Sequence, residues 1–304
     1  MKAFIIMQNR CFMGYSANKK IDTITIVPNL GKPDIPAIAM DLIKWISEKG
    51  IEVLMPEEDA IRLGVPELAA EESRIQKGGA VVCLGGDGTM LRAIRMLKGT
   101  AVPVVGINLG RVGFLAEIEL AEMYPALERV VSGDFSIDER MMLKCTIRVG
   151  DTEQEYLALN EVAIERGYHQ RMLEMDVYIN DIMFSRYTAD GLIFATPTGS
   201  TAYSFSAGGP VVSPANELIL LAPVNPHSLF ARTIALGVQE VARVELAKRL
   251  DVSVGIDGFV VFSTVLDSIE LKKAEAKALF IKLKERSFYT LFKNKLHVWD
   301  TWLR

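Results

Sequence analysis

Cysteine is scarce in this chain. There are three, Cys11, Cys83 and Cys145, far apart and odd in number. No disulfide framework or zinc spacing can be read from them, and they read as small apolar fillers or inert thiols. The three histidines, His169, His227 and His297, are equally scattered, so no metal cage of protein ligands is expected. Long apolar runs are missing. The first, Ala3 to Met7, is cut by Gln8-Asn9-Arg10, short of the roughly 7–15 residues of a signal-peptide core. No run approaches the roughly 18 needed to span a bilayer. An excess of basic charge is missing too: 34 Lys and Arg face 38 Asp and Glu, for a net charge of −4. Charge therefore gives no support to a nucleic-acid or membrane-surface partner. The default expectation is a cytoplasmic, reducing location.

What is present is ordinary globular composition, with half of the 304 residues apolar. That length suits about two domains. Over the first part, β-branched runs alternate with helical stripes. Ile24 to Val27, Ile51 to Met55, Ala80 to Leu84 and Val102 to Ile107 read as buried strands. Ile38, Leu42, Trp45 and Ile46 recur at helical spacing, as do Met90, Leu91, Ile94 and Leu97. This alternation predicts an α/β domain with a Rossmann-like parallel sheet covered by helices.

The texture changes near Asp134. Strand-like runs between Gly, Pro and Asn-rich turns follow, among them Met142–Val149, Glu155–Ile164, Leu173–Ile179, Gly191–Ala195 and Glu217–Ala222. Arg243–Ala247, Val252–Ile256 and Val260–Thr264 continue them. This predicts an all-β sandwich. The tail changes again, with a strand-like Ala278–Leu283 and then a short helix through Tyr289, Leu291, Phe292 and Leu296. The expected organisation is an extension over residues 1–20, an α/β domain over 21–135, a β-sandwich over 136–275, and a C-terminal segment over 276–304.

Gly85-Gly86-Asp87-Gly88-Thr89 follows a buried strand and opens a helix. Glycines there bring backbone N–H groups close to a ligand, and a helix N-terminus favours phosphate. A carboxylate in such a site repels phosphate, so Asp87 needs its own reason. It can act as a base on a hydroxyl that attacks phosphorus, hold Mg²⁺ through water, or simply cap the helix. The string is neither a Walker loop nor a GxGxxG fingerprint.

A second cluster runs DGLIFATPTGSTAYSFS from Asp190 to Ser206. Its hydroxyls can bond sugars, phosphates or base edges, or they can hold a surface loop together. Tyr203 offers a flat face. Asn160-Glu161 sits inside the strand-like Tyr156–Ile164, and a carboxylate there could accept both hydroxyls of a ribose.

Taken together, GGDGTMLRA (Gly85 to Ala93), NLGRVGFLAE (Asn108 to Glu117), Asn160-Glu161 and DGLIFATPTGSTAYSFSAGGP (Asp190 to Pro210) resemble the NAD kinase family, over roughly Ile21 to Leu296. The first motif is shared with lipid kinases and phosphofructokinases; the last is long and specific. The resemblance implies phosphoryl transfer to the 2′-hydroxyl of the adenosine ribose of NAD, giving NADP, with Asp87 as the catalytic base. It implies dinucleotide contacts from Asp87, Gly88, Arg92, Phe114, Asn160, Glu161, Arg171, Thr188, Asp190, Thr198, Thr201, Ala202, Tyr203, Ser204, Phe205 and Ser206. Gly85, Gly86, Gly88 and Thr89 would hold the phosphate donor, ATP or polyphosphate, with Mg²⁺ or another divalent ion. A homo-oligomer, dimer or tetramer, is expected. The C-terminal segment would return to the first domain. Two positions depart from the family pattern: Thr188 stands where many members carry Arg, and Asp257-Gly258-Phe259 where many read Asp-Gly-Gln.

Overall fold

The computed structural model describes residues 21–300 apart from 109–112, 117, 168–170, 228–231, 249 and 285–286. The extension expected over 1–20 and half of the segment Asn108 to Glu117 lie outside the described residues.

The first part builds parallel strands. β1 (Thr23–Pro28), β2 (Glu52–Pro56), β3 (Ala69–Ala70), β4 (Ala80–Leu84) and β5 (Val104–Asn108) run in the order β5-β4-β1-β2-β3. β6 (Ile118–Glu119) pairs with β5. Between them come α1 (Ile35–Glu48), α2 (Glu57–Leu63), α3 (Glu72–Ile75) and α4 (Asp87–Leu97), and then α5 (Met123–Ser132). β4 and β5 are buried at every position, as strands covered on both faces must be. Ile35, Ala39, Leu42 and Ile46 form the buried stripe of α1 and share one core with Leu127 and Val130 of α5. Met90, Ala93, Ile94 and Leu97 of α4 fill a second core. Each such fully buried Leu or Ile contributes about 1.5–3 kcal/mol over exposure.

Strand order reverses between β1 and β4. From β1 the chain goes out to β2 on one side and comes back to β4 on the other. Open α/β sheets bind ligands at such a switch, beyond the C-terminal strand ends. Here those ends lead into Asn29-Leu30-Gly31 and Gly85-Gly86-Asp87.

The second part is all β apart from short turns of helix such as α6 (Tyr203–Ser206). Its strands are β7 (Ser136–Val149), β8 (Thr152–Ala158), β9 (Glu161–Arg166), β10 (Leu173–Ile179), β11 (Ile182–Ala189), β12 (Gly191–Ala195), β13 (Ile219–Val224), β14 (Ile234–Leu236), β15 (Ala242–Leu246), β16 (Val252–Ile256), β17 (Phe259–Thr264) and β18 (Ser268–Lys282). One sheet runs β14-β13-β12-β9-β16-β17. It packs against the other strands through Leu143, Ile164, Val177, Phe194, Val254 and Leu271. The expected α/β domain followed by a β domain is what the chain forms.

Three details differ from the sequence reading. The run 155–164 is not one strand. It breaks at Leu159-Asn160, and its pieces β8 and β9 join different sheets. β11 is an additional strand, turned back onto β10 at Asn180-Asp181, both at positive φ. This is a hairpin signal weaker than Asn-Gly. Finally, β18 crosses the expected boundary at 275/276. It pairs antiparallel with β7 and touches β5 in parallel at Phe280 and Val104, so one sheet runs through both halves. The tail thereby returns to the first domain and continues as α7 (Phe288–Asp300). Among the described residues no helix is long and apolar enough to cross a membrane.

Candidate active site

α4 starts directly beyond β4. Gly86 stands at its N-cap without a side-chain cap, and Asp87 is the first helical residue. The Asp87 carboxylate turns away from its own helix. Oδ2 accepts the N–H of Phe114 at 2.8 Å; Oδ1 accepts those of Leu115 at 3.1 Å and Ala116 at 3.3 Å. Capping is therefore not its role. Gly113 passes so close that a Cβ there would lie 1.8 Å from Asp87 Oδ1, which only glycine permits. The carboxylate and the 113–116 loop position each other, and Phe114 with them.

A cavity of about 280 Å³ opens at the turn. Asn29, Arg62, Gly86, Gly88, Thr89 and Arg92 line it, with Asp59 and Phe259. Arg92 is locked there: it donates to both oxygens of Asp59 at 3.1 and 2.6 Å and to the Pro28 carbonyl at 2.8 Å. Arg92 thus belongs to the glycine-turn cavity. Sequence reasoning missed Asn29 and Arg62, because an isolated Asn after proline and one Arg on a short helix carry no motif signal.

The second cluster comes off β12. Thr196 is fully buried. Its hydroxyl donates to the Leu159 carbonyl at 2.6 Å and accepts the Gly199 N–H at 3.1 Å. Its own N–H bonds the Asn160 carbonyl at 2.8 Å. Gly199 is needed here as well, since a Cβ would lie 2.0 Å from that carbonyl oxygen. Ser200 Oγ lies 2.7 Å from the Pro197 carbonyl oxygen and accepts the Val212 N–H at 2.9 Å. These hydroxyls hold the loop itself.

Thr198 and Thr201 point elsewhere, lining a small cavity with Gly113, Phe114, Asp138, Arg140 and Phe288. The structure thus brings the second cluster to the 113–116 loop, whose amides hold Asp87 of the first motif. Ala202 and Phe205 are half-buried, and Ser206 is exposed. Ser204 is fully buried with its Oγ unpartnered. The Tyr203 hydroxyl donates to Glu165 at 2.6 Å. Burial first, then that bond and the charges of Glu165, Asp190 and Glu161, push its phenol up to about 12. Asp190 lies 3.4 Å from Arg166 and accepts from Asn225 at 3.1 Å. Thr188 is half-buried on β11 and Arg171 is exposed ahead of β10. Neither lines the two cavities beside Asp87 and Phe114.

Asn160 and Glu161 sit where β8 gives way to β9, and a distant turn pins them. Asp257, at φ 50° between β16 and β17, accepts the N–H groups of Leu159, Asn160 and Glu161 at 2.8, 2.6 and 3.1 Å. Its Asp-Gly signal was visible in the sequence; its target was not. Glu161 is only 6% exposed, and its Oε2 has no partner. Burial, then the Asp257 charge, push its carboxyl up to about 8, against a bond from the Tyr203 amide that lowers it. Phe259, at the place where many family members carry Gln, lies under the Arg95 guanidinium at 3.7 Å.

The ATP-NAD kinase N-terminal domain matches residues 24–135, and the ATP-NAD kinase C-terminal domain matches 159–283. The chain belongs to the NAD kinase family. The enzyme is 40% identical over 275 residues to the NAD kinase of Moorella thermoacetica, covering 90% of this chain and 88% of that one. It is 38% identical to the NAD kinase of Heliobacterium modesticaldum, over 90% and 98% of the two chains. Among solved structures it is similar to yeast NADH kinase complexed with NADH, with TM-score 0.83, 26% identity, and 91% and 88% of the two chains covered. It also resembles an NAD kinase from Archaeoglobus fulgidus in complex with ATP, with TM-score 0.72, 27% identity, and coverages of 89% and 97%. The general reaction of the family is phosphorylation of NAD to NADP. Among the described residues no cluster of three or more His, Cys, Asp or Glu is arranged to hold a metal ion.

Proposed function

We propose that this enzyme moves the γ-phosphoryl group of ATP, or the terminal group of polyphosphate, onto the 2′-hydroxyl of the adenosine ribose of NAD, with Asp87 as general base. The observation that carries this reading is the Asp87 carboxylate, oriented by three amides of the 114–116 loop at the start of the α4 helix. On one side of it lies the glycine-turn cavity, suited to donor phosphates. On the other, Phe114, Thr198 and Thr201 offer an aromatic face and hydroxyls to a nucleoside. Relatives bound to ATP and to NADH support both halves of the pair.

In this scheme the 2′-hydroxyl gives its proton to Asp87 as its oxygen bonds to phosphorus. The bond from phosphorus to the bridging oxygen breaks, and the electron pair leaves with the diphosphate. The amides of residues 114–116 keep the carboxylate aimed throughout. Glu161 and Asn160, pinned by Asp257, hold the adenosine end. A divalent ion such as Mg²⁺ supplies charge neutralisation to the donor phosphates. Asp87 already accepts three amides and suits a water-mediated contact to such an ion.

The test is incubation with NAD, Mg²⁺ and either ATP or polyphosphate, reading NADP with an NADP-specific dehydrogenase. Asp87→Asn is expected to lower kcat by about 10²–10⁴-fold. Its KM should also rise, because the new NH₂ would face an amide of the 114–116 loop. An Asp87→Asn enzyme with near-wild-type kcat sinks the base assignment.

A further inference from the structure

The turn at Gly85 to Thr89 has no lysine or arginine, yet phosphoryl transfer concentrates negative charge that must be balanced. Among the described residues, four nearby cations are already engaged. Arg92 is bidentate on Asp59. Arg140 lies 2.7 Å from Asp138, and Lys282 is 3.4 Å from the same carboxylate. Arg62 is 3.8 Å from Glu58.

Lys295 differs. It arrives from the far end of the chain, on α7, and its Nζ stands 4.2 Å from the centroid of the Phe114 ring. The amide of that same Phe114 is bonded to Asp87. Lys295 is half-buried, and the charge of Asp87 acts on it. α7 is anchored across both halves of the groove. Phe288 and Phe292 each lie 6.4 Å from the Phe114 ring and 6.2 Å from one another. Phe292 also meets Phe205 edge-on at 6.2 Å. An aromatic cluster thus fixes a cation beside the base, partly withdrawn from water, where charge acts most strongly.

We propose that Lys295 is a further catalytic residue, an ammonium group that binds the phosphoryl group as it passes to the acceptor oxygen beside Asp87. The proposal rests on the reading of Asp87 as base. Lys295 keeps its proton throughout. It donates N–H bonds to the equatorial phosphoryl oxygens, while the acceptor proton goes to Asp87 and the diphosphate leaves with the bridging oxygen. Burial pulls the Lys295 pKa down and Asp87 pulls it back up; arriving phosphate strengthens the second effect.

The experiment uses the full chain with NAD and Mg-ATP. Lys295→Met should lower kcat for NADP formation about 10–100-fold, with KM for NAD and the thermal midpoint nearly unchanged. Lys295→Arg should keep much of the rate, and Lys295→Ala should regain turnover with added ethylammonium. Lys295→Met turning over like wild type overturns the proposal. So does a loss accompanied by a lower thermal midpoint that neither Arg nor ethylammonium restores. A wild-type protein that forms no NADP overturns the kinase reading beneath it, an outcome distinct from both.

Discussion

The two halves of the groove are built by opposite means. On the α/β side the machinery is backbone: glycines with open space around Gly86 and Gly88, loop amides, and one carboxylate. On the β side the motif is rich in hydroxyls, yet Thr196 and Ser200 bond their own chain. Only part of that cluster faces the groove. The difference teaches that a polar motif can be scaffold as much as contact surface. The Thr196 hydroxyl ties the 196–199 turn to Leu159, next to Asn160-Glu161; on the α/β side the loop amides hold one carboxylate.

This contrast can be broken experimentally. The largest effect is expected at Gly113→Ala. Its methyl would collide with Asp87, so kcat should fall about 10²-fold, in the range of a misaligned catalytic group, while the circular dichroism spectrum stays unchanged. Normal turnover would mean that the loop does not position Asp87.

Next comes Thr196→Val on the β side. It strands the Leu159 carbonyl and the Gly199 N–H, which should cost about 2–4 kcal/mol in denaturant unfolding. KM for NAD should rise more than kcat falls. Loss of kcat alone, with stability intact, would place Thr196 in the chemistry and erase the distinction.

The smallest effect is a pH dependence. Folding raises the Glu161 pKa from 4.5 to about 8, so the folded chain holds a proton that the unfolded chain releases. This stabilisation is full below about pH 4.5 and is lost as pH rises through about 8. Between pH 6 and 8 the ligand-free enzyme should lose about 2 kcal/mol more stability than Glu161→Gln. Parallel thermal midpoints across that range would refute the buried-proton picture.

Much of the fold was legible because its signals are local. The helical stripe of Leu42 and Ile46, the all-apolar Ala80–Leu84 and the change of texture near Asp134 needed only a short window. The break at Leu159-Asn160 was hidden because its causes lie outside the segment, in Thr196 and Asp257. Of the candidate site, the glycine turn and Asp190–Ser206 were visible as motifs. Asn29, Arg62 and Lys295 were not, since each is ordinary in its own neighbourhood.

Sequence by itself determined that a glycine turn with one aspartate opens a helix after a buried strand, because turn chemistry and hydrophobic period are properties of adjacent residues. It also determined the two-part architecture and, through the motifs, the family. Tertiary structure alone decided what Asp87 does with its carboxylate. Amides nearly thirty residues downstream hold it, where a helix cap was equally compatible with the string. Tertiary structure likewise decided that Asp257 pins Asn160 from almost a hundred residues away, and that β18 carries the tail back to set α7 on Phe114. Such contacts depend on the packing of distant segments, and no local pattern encodes them.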